Sequence, residues 1–120
     1  MKKVFLTLLF SFVSLFAFEH LDNKNIDDKI KGKNVIIDFY ATWCPPCKVL
    51  EKNLVKFDKM KPSGVVIYKI DIDKDMDLAK KYNVKSLPTL VYLKDEKVVA
   101  KKIGVSSVGN LVTHSMKYFK

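Results

Sequence analysis

No arginine occurs in this chain of 120 residues: all 22 positive side chains are lysine, and they leave a formal net charge of +9 at pH 7. Readers of nucleic acid rely on arginine forks for guanine edges and phosphate clamps. Beyond Lys2 and Lys3 these lysines are scattered from Lys24 to Lys120 and form no single stripe. The charge therefore reads as a solvated surface, and nucleic acid is not an expected partner. A weak attraction to anionic membrane surfaces or acidic partners stays open. Histidine is nearly as scarce. His20 and His114 lie at opposite ends of the chain, at no spacing that completes a zinc site. Internal repeats, low-complexity stretches and Gly/Ser linkers are also missing. That leaves one domain, whose 48% hydrophobic content suffices for a core and excludes disorder.

Cysteine is limited to Cys44 and Cys47. A bridge across so short a loop would remove only about 2 kcal/mol of unfolded-state entropy. A staple closes a longer loop, so this pair is better explained by chemistry than by stability.

What is present begins with a targeting signal. Met1-Lys2-Lys3 is a short positive start, and Val4 to Phe18 is then apolar except for Thr7, Ser11 and Ser14. This is the layout of a secretory signal peptide. As a helix the run would span roughly 22 Å, short of the ~30 Å hydrocarbon layer. Cleavage after Ala17 would leave Leu15 two positions earlier, larger than such sites prefer, so an uncleaved N-terminal anchor is the alternative. No cysteine near its end suggests a lipid anchor. The expected organisation is a signal peptide at 1–17 and one domain at 18–120, exported to the periplasm, a compartment that suits disulfide chemistry.

Strand and helix patterns alternate from there. Leu21 to Lys31, with spaced Ile26 and Ile30, reads as a short helix. Asn34 to Tyr40 is a β-branched and aromatic strand. From Pro46 to Met60 the residues Val49, Leu50, Leu54 and Phe57 keep helical spacing. After a Pro62-Ser63-Gly64 turn, Val65 to Asp71 is a second strand. Asp75 can cap a helix through Tyr82. Thr89 to Leu93 and Lys97 to Ile103 form a hairpin, and Ser106 or Ser107 can cap a last helix to Phe119. The order predicts an α/β fold, a central mixed sheet flanked by helices.

Cys44-Pro45-Pro46-Cys47 falls where a strand ends and a helix begins. A helix start presents unpaired N–H groups and positive partial charge, which favour a thiolate. Cys44 is then the exposed nucleophile of lowered pKa, and Cys47, one turn on and beneath it, resolves the mixed disulfide. Prolines are tolerated in that first turn.

The stretch Asp38-Phe39-Tyr40-Ala41-Thr42-Trp43-Cys44-Pro45-Pro46-Cys47-Lys48 resembles the thioredoxin active-site signature. The likeness continues through Lys69 to Asp73, through Tyr82 to Thr89, and to Gly104, covering nearly all of residues 19 to 120. It implies a thioredoxin fold and a thiol–disulfide oxidoreductase that forms a redox disulfide between Cys44 and Cys47, without a dissociable cofactor or metal. It implies that Asp38 passes a proton to and from Cys47 and that Lys69 lies near that carboxylate. Trp43, Pro45, Pro46, Leu87 and Pro88 would meet the substrate: Trp43 as a docking surface, Leu87 through its backbone, and Pro88 by a cis bond facing the cysteines. Pro45 departs from the glycine usual in the family, and the Asp95-Glu96 turn also lacks its usual glycine. Cys-x-Pro-Cys sites also occur in exported reductases resembling cytochrome c maturation proteins. The expected function is an exported, monomeric reductase of protein disulfides, fed by a membrane thiol electron donor. A disulfide-forming oxidase, a cytochrome c maturation thiol reductase and a non-enzymatic chaperone module are the alternatives.

Overall fold

The computed structural model describes residues 18–120; the expected targeting segment at 1–17 lies outside them. Five strands and four helices follow in the order β1 (Glu19–His20), α1 (Ile26–Ile30), β2 (Asn34–Tyr40), α2 (Pro45–Asp58), β3 (Val65–Asp71), α3 (Met76–Lys81), β4 (Thr89–Lys94), β5 (Lys97–Ile103) and α4 (Val108–Tyr118). The strands form one sheet in the order β1-β3-β2-β4-β5. β1 and β2 run parallel to β3, whereas β4 runs antiparallel to β2 and β5 antiparallel to β4. Parallel neighbours need a crossover, and α2 supplies it between β2 and β3.

Both faces of the sheet are covered, which explains why β2 and β3 read as nearly continuous apolar runs. Alternation along β2 sends Val35, Ile37 and Phe39 to one face, where they pack with Ile26 and Ile30 of α1 and Leu78 and Ala79 of α3. Ile36 points to the other, against Leu50, Leu54 and Phe57 of α2 and Leu111 of α4. These side chains are fully buried, and truncating one such as Leu54 to Ala would cost about 2–5 kcal/mol.

Three local expectations shift. The first helix is confined to Ile26–Ile30 because Asp22 and Asn25 hold the preceding residues in a side-chain-bonded turn. The Asp22 carboxylate accepts from the N–H groups of Lys24 and Asn25 at 2.8 and 2.9 Å, and the Asn25 side chain accepts from the Asp22 N–H at 2.9 Å. Asp75 precedes α3 but makes no side-chain cap; its carbonyl takes the bonds from the Leu78 and Ala79 N–H groups. Ser107, and not Ser106, caps α4 by accepting from the Asn110 N–H at 3.1 Å. The Ser106 carbonyl instead accepts from the Asn53 side chain at 3.0 Å, tying α4 to α2.

The topology brings the ends of β2 and β3 and the start of β4 to one edge. Tyr40 sits opposite Asp71, and Phe39 opposite Thr89. The Cys44–Cys47 segment leaves β2 at this edge.

Candidate active site

Cys44 is the N-cap of α2, with extended backbone (φ −105°, ψ 103°). Pro45 and Pro46 fill the first two helical positions and carry no N–H. The Cys47 N–H is therefore the first amide the helix offers. It points at the Cys44 Sγ, 3.3 Å away, while also reaching the Cys44 carbonyl at 3.1 Å. Cys44 and Cys47 are joined by a disulfide.

The expectation that Cys44 is exposed needs correction. It is 5% exposed and Cys47 is 3% exposed, so both belong to the interior. Ala41 packs with them from the strand end, and Leu87 arrives from the loop before β4. The Leu87–Pro88 bond is cis, and the buried Pro88 gives its carbonyl to the Gly104 N–H at 2.8 Å. Trp43 lies beside the cysteines at 66% exposure and is no core residue. Its indole N–H donates to the Asp73 carboxylate at 2.8 Å. Pro45 and Pro46 are exposed as well. Trp43, Pro45 and Pro46 thus surround the disulfide with apolar surface, whereas the disulfide itself is recessed.

In the sheet, Asp38 occupies the middle of β2, on the same face as Tyr40, and is 0% exposed. It is therefore not a strand-end carboxylate reaching water. Neither of its carboxylate oxygens has a hydrogen-bond partner. Burial is the main reason its pKa is pushed up to about 7; Lys69 pulls it down and Glu51 adds a smaller upward push.

Lys69 stands opposite Asp38 in the β2–β3 register and is buried. Proximity in the sheet does not make the two a pair. The Lys69 ammonium donates to the Glu51 carboxylate at 2.8 Å and lies over the Tyr40 ring, 4.0 Å from its centroid. Tyr40 and Glu51, with Ala41, Thr42, Cys47 and Lys48, line a cavity of about 200 Å³.

One more pair closes the cluster. His20 Nε2 and the Tyr40 hydroxyl are 2.6 Å apart. Burial first, then the carboxylates Asp71, Glu51 and Asp38, push the Tyr40 pKa up to about 12. Burial and the cations Lys69 and Lys74 lower that of His20. Near neutral pH the phenol keeps its proton, and the tautomer of His20 decides which of the two donates.

Sequence reasoning grouped Asp38, Cys44, Cys47, Lys69, Trp43, Pro45, Pro46, Leu87 and Pro88. In the fold Leu87 packs on the two cysteines, and Lys69, across the sheet from Asp38, reaches Glu51 at the cavity beside Cys47. The grouping was incomplete: it missed Glu51, Tyr40, His20 and Asp73. A signal existed for two of them. Glu51 is four residues after Cys47, one helical turn along the same face, and Tyr40 is two after Asp38 on the same face of the strand. His114 is partly buried and packs edge-on to Tyr92 at 6.1 Å between ring centroids.

A disulfide between a helix N-cap and the residue one turn on, in a fold that also buries an unpartnered carboxyl, carries the chemistry of a thiol–disulfide oxidoreductase. The family model described as Thioredoxin matches residues 17–117, and the chain belongs to that family. It is 43% identical to Thioredoxin-1 of Saccharomyces cerevisiae over 76 residues, which cover 63% of this chain and 73% of that protein. It is 36% identical to the mitochondrial thioredoxin of Mus musculus over 101 residues, 82% of this chain and 61% of that protein. The oxidized form of mitochondrial thioredoxin 3 from Saccharomyces cerevisiae superposes with a TM-score of 0.77 at 33% identity, covering 87% of this chain and 98% of that one. The chain is accordingly a thioredoxin-type thiol–disulfide oxidoreductase with Cys44 and Cys47 as its redox pair, acting on protein disulfides.

Proposed function

We propose that this oxidoreductase is an exported reductase of protein disulfides. The observation that carries the direction is the single amide at the Cys44 sulfur. With Pro45 and Pro46 in the first turn, a Cys44 thiolate has one helix N–H within reach. A thiolate with fewer donors is less stabilised, so the reduced form gives up its electrons more readily.

In the proposed cycle the Cys44 thiolate attacks one sulfur of a substrate disulfide. The other substrate sulfur leaves with the electron pair and takes a proton. Cys47 loses its proton to the Asp38 carboxylate and attacks the Cys44 sulfur. The mixed disulfide breaks, the second substrate sulfur leaves as a thiolate, and the Cys44–Cys47 disulfide remains. Two electrons have moved from enzyme to substrate. Trp43, Pro45 and Pro46 give the docking surface for an extended segment, whose backbone pairs beside Leu87 and Pro88. Because Cys44 is recessed, the substrate sulfur has to enter between Trp43 and the Leu87–Pro88 loop.

Export rests on the positive start and apolar run of residues 1–17. Among the described residues no helix is long and apolar enough to cross a membrane. In a compartment without soluble nicotinamide reductant, the returning electrons come from a membrane-embedded thiol carrier, and the enzyme works as a monomer.

Expression of Cys47→Ser in the native host tests these points together. It should accumulate as a mixed disulfide with exported proteins, and the purified native chain should lack residues 1 to about 17 by mass spectrometry. Trapped cytoplasmic proteins, or a full-length chain in the membrane fraction, would count against cleavage and export as stated. A glutathione equilibrium far on the oxidising side would make the enzyme an oxidase.

A further inference from the structure

Two of the site's carboxylates, Asp38 and Glu51, compete for one buried cation, and the cation chooses the less obvious partner. Lys69 starts directly across the sheet from Asp38. Its ammonium nevertheless bonds Glu51, reaching in from α2, and leaves both Asp38 oxygens without a partner. The physical reason is solvation. A buried ammonium needs a counter-ion, and the carboxylate that costs least to ionise serves it. The Glu51 side chain is 33% exposed at the mouth of the cavity, whereas Asp38 is sealed. The Tyr40 ring under the ammonium steadies the same position.

We infer that Glu51 is a positioning residue of the dithiol site: by holding the Lys69 ammonium away from Asp38, it leaves Asp38 free to take and return the Cys47 proton. The inference rests on the reading of Asp38 as the proton carrier. Were Lys69 to pair with Asp38, the carboxyl would stay ionised and would be a poor acid in the return direction. Glu51 acts through Lys69 and does not touch the sulfurs.

The charged and titratable groups around Asp38 are few. Lys69 comes from β3, Tyr40 from β2 itself and Glu51 from α2. From β4 the register partner is the apolar Leu90. Tyr40 stays protonated at the pH concerned, and the charges that act on Asp38 are Lys69 and Glu51.

Glu51→Gln removes a negative neighbour and frees Lys69 to turn to Asp38; both changes favour the Asp38 carboxylate. Lys69→Met removes the one cation and disfavours it. The two variants must therefore move Asp38 in opposite directions. A merely structural role gives another pattern, because loosened packing would hydrate Asp38 and lower its pKa in both.

The test is titration of the Asp38 carboxyl carbon by NMR in the oxidised full chain, where neither cysteine titrates. Glu51→Gln should shift the midpoint to lower pH and Lys69→Met to higher pH, each by about one pH unit. The double variant should return toward the wild type. Shifts of the same sign, or no shift in Glu51→Gln, overturn the inference. The pH profile of mixed-disulfide resolution should then follow the carboxyl midpoint in each variant. Opposite midpoint shifts with an unmoved rate profile would support the positioning by Glu51 while removing Asp38 as the proton carrier.

Discussion

The Cys47 N–H points at the Cys44 Sγ from 3.3 Å, and it is the only amide in the first turn of α2 that can do so. Every other N–H the helix start would present there has been removed by proline. The stability of the Cys44 thiolate is thus set largely by one hydrogen bond and the helix charge.

Pro45→Gly restores an amide at the first helical position. A hydrogen bond to a charged group contributes about 1.5–3 kcal/mol. The added chain freedom of glycine, about 1 kcal/mol, acts on both redox states and mostly cancels. Pro45→Gly should lower the Cys44 pKa by about one unit and raise the reduction potential by about 30 mV. Alkylation rate against pH and equilibration with glutathione measure the two. An unchanged or raised pKa would mean that the missing amides are not what sets the thiolate.

Cys44→Ser should abolish disulfide exchange. Cys47→Ser should still attack and then stall as a mixed disulfide, because the resolving thiol is gone. Both residues are nearly equally buried, so exposure alone does not decide their order. The N-cap position of Cys44 does. Stalled adducts on Cys44→Ser instead would reverse the assignment.

Asp38→Asn should slow resolution on the order of 10²-fold, as loss of a proton-transfer group does. It should also raise stability in a pH-dependent way. The folded pKa, about 7, lies above the ordinary carboxylate value of 3.8. For a raised carboxyl the folded state binds more protons than the unfolded one, so stability is lost as pH rises. The penalty is absent below about pH 4, grows up to about pH 7 and levels off there. Denaturant titrations of wild type and Asp38→Asn should agree near pH 4 and diverge above it, by up to about 4 kcal/mol. A constant gap across that range would show that ionisation of Asp38 is not its cause.

The turn between β4 and β5 carries two residues with positive φ, Asp95 at 47° and Glu96 at 70°. Glycine relieves such a conformation, which costs a side-chain-bearing residue about 1–2 kcal/mol, but it loses about 0.5–1 kcal/mol through unfolded-state entropy. Glu96→Gly should gain about 0.5–1 kcal/mol and raise Tm by several degrees. Asp95→Gly should not, because the Asp95 carboxylate accepts from the Gly32 N–H at 3.0 Å and pins the hairpin to the start of β2. Thermal melts of the two variants separate these effects.

What the sequence determined by itself is whatever depends on neighbours along the chain. Strands at Asn34–Tyr40 and Val65–Asp71 follow from runs of β-branched and aromatic residues. The helix after Cys44 follows from the spacing of Leu50, Leu54 and Phe57, and the redox pair from a strand-to-helix junction four residues long. The burial of Asp38 was legible too, as one carboxylate in an apolar strand. Only the tertiary structure decided who meets whom. Cys44 is recessed because Leu87 arrives from a loop forty residues later. His20 bonds Tyr40 because β1 pairs with the far side of β3, which the sequence shows only as two polar residues after an apolar run. Lys69 faces Asp38 across the sheet, yet bonds a helix residue that no strand pattern mentions. Strand register sets which backbones are adjacent, but a long side chain goes to the partner it can charge most cheaply, and that depends on how much water the assembled fold leaves around each carboxylate.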